Sequence, residues 1–295
     1  MDELTYGYVP NLGANVAGAV LFGLILVCQL ILGNRTKERF FALLWNLAAS
    51  LEFVGYVCRI VGHNRPYGAV TEYQVQQVIL LIGPAYMAGG LYYQLAALVT
   101  VYGRQFGYVS PRKYIVIFAV LDCVALAVQT AGGAVAASSD SDDSANTGRW
   151  VAVGGMCFQV ATLTAFVLLF AHTLHRIHKA GEVNWTSPYS QRRHRKLFKY
   201  WVPAVFVSLL FLEIRSIYRV VELANGWTSY LTRNEAYNLV LDGLMIFLGL
   251  LPLTIIHPGV AYGRISIRHP GRYAEGEKDE NNVDEVHLNE SVYSS

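Results

Sequence analysis

Charged residues are scarce along this chain: Asp, Glu, Lys and Arg make up 15% of its 295 residues, against 54% hydrophobic, where a soluble domain carries roughly a quarter. That shortage excludes a water-soluble fold of this length and points to an integral membrane protein. No Lys or Arg precedes Arg35, so the basic start of a cleaved secretory leader is missing and the first apolar stretch is expected to be an uncleaved signal anchor. Cysteine is limited to Cys28, Cys58, Cys123 and Cys157, all inside apolar stretches. That excludes a disulfide framework or zinc spacing and leaves them as small packing residues. No G-x-x-x-x-G-K-[ST] is present to carry ATP-driven pumping, and no G-x-S-x-G or H-E-x-x-H to carry hydrolysis. Between Lys199 and Lys278 there is no lysine, which removes a retinal Schiff base from the last stretch. The net charge of +2 gives no footprint for nucleic acid.

What the chain does have is apolar runs of about 20 residues, the length that crosses a bilayer. They lie near 11–33, 40–62, 76–102, 113–137, 150–175, 198–221 and 236–257. The expected fold is therefore all-α, a polytopic membrane protein with a seven-helix transmembrane domain over 11–257. Residues 1–10 form a short extracellular N-terminus, and 258–295 a cytoplasmic tail, largely disordered and acidic from about 275.

Orientation follows from loop charge. The connections after stretches 1, 3 and 5, with the tail, hold most of the basic residues, among them Arg35, Lys37, Arg104, Arg112, Arg176, Arg192, Arg193, Arg195 and Arg268. The other side holds Arg65, Arg149 and Arg233. This places the N-terminus outside and the C-terminus in the cytoplasm. The sequons at Asn34, Asn184 and Asn289 then fall inside, as chance matches.

The basic segment 176–199 is expected against anionic headgroups, or as a topology signal alone. Tyr6, Tyr8, Trp150, Trp227 and Tyr230 at one side, and Tyr102, Tyr108, Tyr200 and Trp201 at the other, read as aromatic belts. Gly83, Gly89, Gly90, Gly132 and Gly133 suit close helix packing, and Pro84, Pro203 and Pro252 open their helices. His172, His175 and His178 recur every three residues, but no nearby acid completes a metal set.

Ionisable residues inside spans usually face one another or water and mark a site or pathway. Glu52, Tyr56 and Arg59 share the second stretch; Glu52 and Arg59 are seven apart, on one face and about 10 Å along the axis, so each needs a partner on another helix. Asp122 and Gln129 are likewise seven apart in the fourth. Arg215, Arg219 and Glu222 form a stripe in the sixth, which also holds Glu213, and Asp242 lies in the seventh. The near-balance of Glu52, Asp122, Glu213 and Asp242 against Arg59, Arg215 and Arg219 suggests mutual pairing. Arg215 or Arg219 is expected on Asp242, with Arg59, Gln129 and Glu222 lining the same cavity; packing alone is the competing account.

Several strings recur together: Glu52-x-x-Gly55-Tyr56-x-x-Arg59, Gly83-Pro84-Ala85 with Tyr92, Asp122 with Gln129-x-x-Gly132-Gly133, Arg215-x-x-Tyr218-Arg219-x-x-Glu222, Gly226, Glu235, Asp242 and His257-Pro258-Gly259. With these the chain resembles the fungal RTA-like, or lipid-translocating exporter, family. Gly83 stands where that family often has Ala, and Arg233-Asn234 where a His usually precedes the acid matching Glu235. The resemblance implies a multispan plasma-membrane protein of fungi; no covalent chemistry and no cofactor are expected. It would move amphipathic molecules such as sphingoid long-chain bases, sterol-like toxicants, azole drugs or a porphyrin, and thereby confer resistance.

The expected partners are membrane lipids and an amphipathic small molecule. Its polar head would meet Glu52, Tyr56, Arg59, Tyr92, Asp122, Gln129, Arg215, Arg219, Glu222 and Asp242, with Glu52 and Asp122 able to carry protons. The alternative is a seven-span lipid-stress receptor or regulator signalling through its cytoplasmic loops and tail. The span-3 ending Val101-Tyr102-Gly103-Arg104 is not the usual G-protein-coupled receptor signature.

Overall fold

A computed structural model describes residues 8–68, 70–139, 141–180, 197–226, 230, 234–263, 265 and 267. Residues 1–7, the basic segment 181–196 and the acidic tail lie outside the described residues, and with them the readings made on those segments. Each apolar stretch folds as a long helix: α1 (Leu12–Thr36), α2 (Arg39–Asn64), α3 (Val70–Tyr102), α4 (Pro111–Ser138), α5 (Asp142–Ala180), α6 (Phe198–Ala224) and α7 (Glu235–Ala261). No strand occurs among the described residues. Six of these helices, α1 to α5 and α7, are long and apolar enough to cross a membrane. The other, α6, has 27 residues and carries Lys199, Glu213, Arg215, Arg219 and Glu222.

Local chemistry sets the helix ends. The Asn11 side chain caps α1 by accepting from the Ala14 N–H at 3.0 Å. Lys37, at φ 59, closes α1 in the left-handed region and turns the chain directly into α2. Pro111 starts α4, where its missing N–H costs nothing. His257 interrupts α7 and caps its last turn, Pro258–Ala261, its Nδ1 accepting from the Gly259 N–H at 3.1 Å. The His-Pro-Gly string is thus a helix-restarting cap.

Consecutive helices are neighbours, α7 returns to α1, and α3 also touches α5 and α6. α3 is the centre: every residue from Gly90 to Val101 is buried. Beside it Phe166 meets Tyr92 and Phe118 edge to face, and those two rings lie tilted against each other. The periphery is apolar instead, with Val20, Leu24, Val27, Val116, Val120 and Leu168 exposed, as expected of helices facing hydrocarbon.

The cysteines follow this inside-out pattern and correct the reading of them as packing residues: Cys28, Cys123 and Cys157 are exposed on the periphery. Small residues do the packing. A Cβ on Gly132 would stand 2.4 Å from the Ala152 backbone nitrogen, and one on Gly148 2.5 Å from that of Ala136, so α4 and α5 meet backbone to backbone. Trp201 leaves the aromatic belt too: it is fully buried and its Nε1 donates to Gln94 Oε1 at 3.0 Å.

Candidate functional site: a polar core between α2, α3, α6 and α7

The N-terminal face of the bundle is where α1, α3, α5 and α7 begin and α2, α4 and α6 end. Most of the buried charges of the helices, Glu52, Arg59, Arg215, Glu222 and Asp242, lie in this half. Two breaks in regular winding prepare their partners. Pro84 has no N–H for the Leu80 carbonyl one turn back in α3, and Arg215 Nη2 donates to that carbonyl at 2.7 Å. Residues Asn238–Leu244 of α7 are wound as a π-helix, a form that recurs at functional sites, and this segment carries Asp242. Arg215 Nε donates to Asp242 Oδ1 at 2.6 Å, with both side chains buried. One guanidinium therefore ties α6 to both irregular helices.

Arg59 is the second hub. It donates to Asn15 Oδ1, Asn238 Oδ1 and the Tyr8 hydroxyl, each at 2.8 Å, and to Glu235 Oε1 at 3.0 Å. Glu235 Oε2 also accepts from the Asn11 backbone N–H at 2.8 Å, and His63 Nδ1 lies 2.7 Å from the Pro10 carbonyl. The segment Tyr8–Asn11 is thereby strapped across the ends of α1, α2 and α7. Burial pushes the Tyr8 hydroxyl above its ordinary pKa, against the pull of Arg59, so Tyr8 stays neutral.

Arg219 makes the third pair, donating to Glu222 Oε2 at 2.6 Å within α6. Every arginine of the expected cluster is thus matched to one acid: Arg215 takes Asp242, as expected, and the departure lies with the other two. Arg59 and Arg219 take the rim acids Glu235 and Glu222, and of the four interior acids only Asp242 has an arginine. The reason is reach: Glu52 lies seven residues from Arg59, whereas Glu235 meets it at the helix ends.

Among the described residues, Glu52, Asp122 and Glu213 have no cation in an ion pair with them. Glu52 is 1% exposed and its Oε2 has no hydrogen-bond partner. Asp122 accepts from the Tyr92 hydroxyl at 2.7 Å, while its Oδ1 is buried and unpartnered. Glu213 accepts from Thr164 at 2.5 Å on the lipid-facing α5–α6 seam, with its Oε2 unpartnered.

A small chamber of about 10 Å³ is lined by Glu52, Gly55, Tyr56, Arg59, Leu80, Asn238, Asp242 and Gly243. Of the expected site residues, Glu52, Tyr56, Arg59 and Asp242 meet there, and Arg215 holds its Asp242 wall. Gln129 and Glu222 do not line it, contrary to expectation: Gln129 Nε2 donates to Gln159 Oε1 at 2.8 Å, turning to α5, and Glu222 is held by Arg219. Tyr92 and Asp122 form a separate pair deeper in the bundle. Tyr56 is gripped by glycines, since a Cβ on Gly243 would lie 1.7 Å from its hydroxyl oxygen and one on Gly18 2.4 Å from its ring.

The residues that sequence reasoning missed are Asn15, Asn238 and the Leu80 carbonyl. The first two were visible as amides inside apolar runs, and the third only through Pro84. Of the His172 repeat, His172 stacks on Tyr108 at 5.7 Å, and no group of His, Cys, Asp and Glu suited to a metal occurs among the described residues.

Residues 46–264 match the family described as RTA1 like protein, a span containing every expected site residue. The chain belongs to this family. The sphingoid long-chain base transporter RSB1 of Saccharomyces cerevisiae is 32% identical over 291 residues, covering 88% of this chain and 75% of the relative. Protein RTA1 of the same organism is 26% identical, covering 88% of this chain and 86% of its own. No solved structure matches.

Proposed function

We propose that this family member moves amphipathic molecules with a cationic head, sphingoid long-chain bases first among them, across a membrane, and so protects cells from them and from hydrophobic toxicants. The observation that carries the reading is the excess of acid: Glu52, Asp122 and Glu213 have no cationic partner among the described residues. An ammonium head supplies the missing charge where an anionic lipid would add to the excess. The name of the relative RSB1 supports the same substrate class. Glu213 on the lipid-facing seam suits entry from the bilayer, with Tyr92, Asp122 and the chamber residues further along the route and Arg215, Arg219 and Glu222 holding its walls. Gln129, turned to α5, sits at its margin. No covalent chemistry or cofactor is called for.

The reading includes seven spans. α6 is about 40 Å long at 1.5 Å per residue, enough for a hydrocarbon layer of about 30 Å, and Glu213, Arg215, Arg219 and Glu222 turn to partners on α3, α5 and α7 or within α6 itself. It also places the N-terminal face outside, the basic connections in the cytoplasm and the chain in the plasma membrane. Glycan on Asn34 would contradict that orientation.

The test is flux of a fluorescent sphingoid base into liposomes containing the purified protein, beside an N-acylated analogue with no ammonium group. The cationic base should cross faster than in protein-free liposomes and the analogue should not. Equal flux of both would set the charge argument aside.

A further inference from the structure

Two voids lie on either side of the Arg59 guanidinium. At the N-terminal face an open vestibule of about 350 Å³ is lined by Tyr8, Val9, Tyr230, Asn234 and Glu235. Beneath it lies the chamber of about 10 Å³ that ends on Glu52 and Asp242. Arg59 lines the chamber and holds Tyr8 and Glu235, which line the vestibule. The latch of Arg59, Glu235 and Tyr8 is therefore the partition between them. Closed as it is here, the chamber has room for about one water molecule, too little for a lipid head or a hydrated metal ion but suited to a proton relay.

Glu52 is the group at the chamber's end whose chemistry is unaccounted for. It faces Asp242 from α7, Arg215 and Arg219 from α6, and Tyr56 and Arg59 from its own helix. α3 presents Leu80 and Gly83, which do not titrate. The three arginines are committed to Asp242, Glu222 and Glu235. An ionised Glu52 would be a second negative charge beside Asp242 in a nearly dry enclosure, with one oxygen bonded to nothing. Binding a proton removes that charge and turns the carboxyl into a donor for the chamber's single water.

We propose that Glu52 is a proton-binding site, closed in this structure, that exchanges protons with the vestibule through the chamber when the latch of Arg59, Glu235 and Tyr8 opens. The site itself does not depend on the transport reading. Its use as the coupling site, the proton leaving as a cationic head arrives, rests on that reading.

The test is infrared difference spectroscopy of the purified full-length protein in lipid nanodiscs, on transfer from H2O to D2O. The wild type should show the carbonyl stretch of a protonated carboxyl, absent in Glu52→Gln and displaced but present in Glu52→Asp, which also covers the chance that Glu52→Gln misfolds. Glu235→Gln removes a charge-assisted hydrogen bond from the latch and should speed exchange of that band about tenfold. A band unchanged in both Glu52 variants, or an exchange rate indifferent to Glu235→Gln, overturns the proposal. Loss of flux with the Glu52 band intact would sink the transport reading alone; flux without the band would sink the proton site alone.

Discussion

Arg215 and Asp242 form the buried contact on which the arrangement of α6 and α7 most depends. Removing one member of such a pair leaves an uncompensated charge and costs roughly 3–5 kcal/mol, while replacing both with apolar residues costs far less. Asp242→Leu and Arg215→Leu should therefore each lower the denaturation midpoint in detergent markedly. The double variant should recover at least about 1 kcal/mol relative to their sum; strict additivity would show that the two residues are not coupled.

Gly243 offers a sharper steric test at the same scale. A methyl group there collides with the Tyr56 hydroxyl oxygen at 1.7 Å and then with Cζ at 3.0 Å. Gly243→Ala should destabilise by about 1–3 kcal/mol. Tyr56→Phe, which deletes the nearer atom, should restore part of that loss in thermal unfolding. No recovery would mean that Tyr56 is not what Gly243 accommodates.

Among the elements, α3 and the α4–α5 pair make opposite uses of irregular residues. Pro84 withholds an N–H so that Arg215 can take the Leu80 carbonyl. Pro84→Ala returns a competing donor, so it should slow flux by about tenfold, on the scale of one charged hydrogen bond, without lowering thermal stability. In the hairpin of α4 and α5, Gly148→Ala puts its methyl 2.5 Å from backbone that cannot yield and should cost about 1–3 kcal/mol. Gly154→Ala, with nothing within 4 Å, should be neutral in the same unfolding measurement.

The positions of all seven long helices were legible in the sequence because apolar length alone announces them. The hubs Arg59, Arg215 and Asp242 were legible too, since a charge in an apolar run has few bland explanations. Asp242 as a partner for Arg215 was legible as well, but the partners of Arg59 and Arg219 were not. Spacing reports a shared face on one helix, but Arg59 finds Glu235 and Asn238 across 176 and 179 residues, and the carbonyl that holds Arg215 has no side chain to betray it. Nor was the isolation of Glu52 visible, because counting interior charges cannot say which of them meet.

At the scale of the whole molecule, the helices form a closed circuit around α3, and among the described residues the acids Glu52, Asp122 and Glu213 within the helices have no arginine paired to them. In the proposed function this excess serves cationic amphipaths in transit. The most direct measurement is the initial rate of fluorescent sphingoid-base entry into proteoliposomes, wild type beside Asp122→Asn, whose side chain keeps its size and its bond from Tyr92. The account predicts flux well above protein-free liposomes and a fall of at least about tenfold in the variant, the scale of one charge-assisted contact. Wild-type flux no greater than that of protein-free liposomes would contradict it.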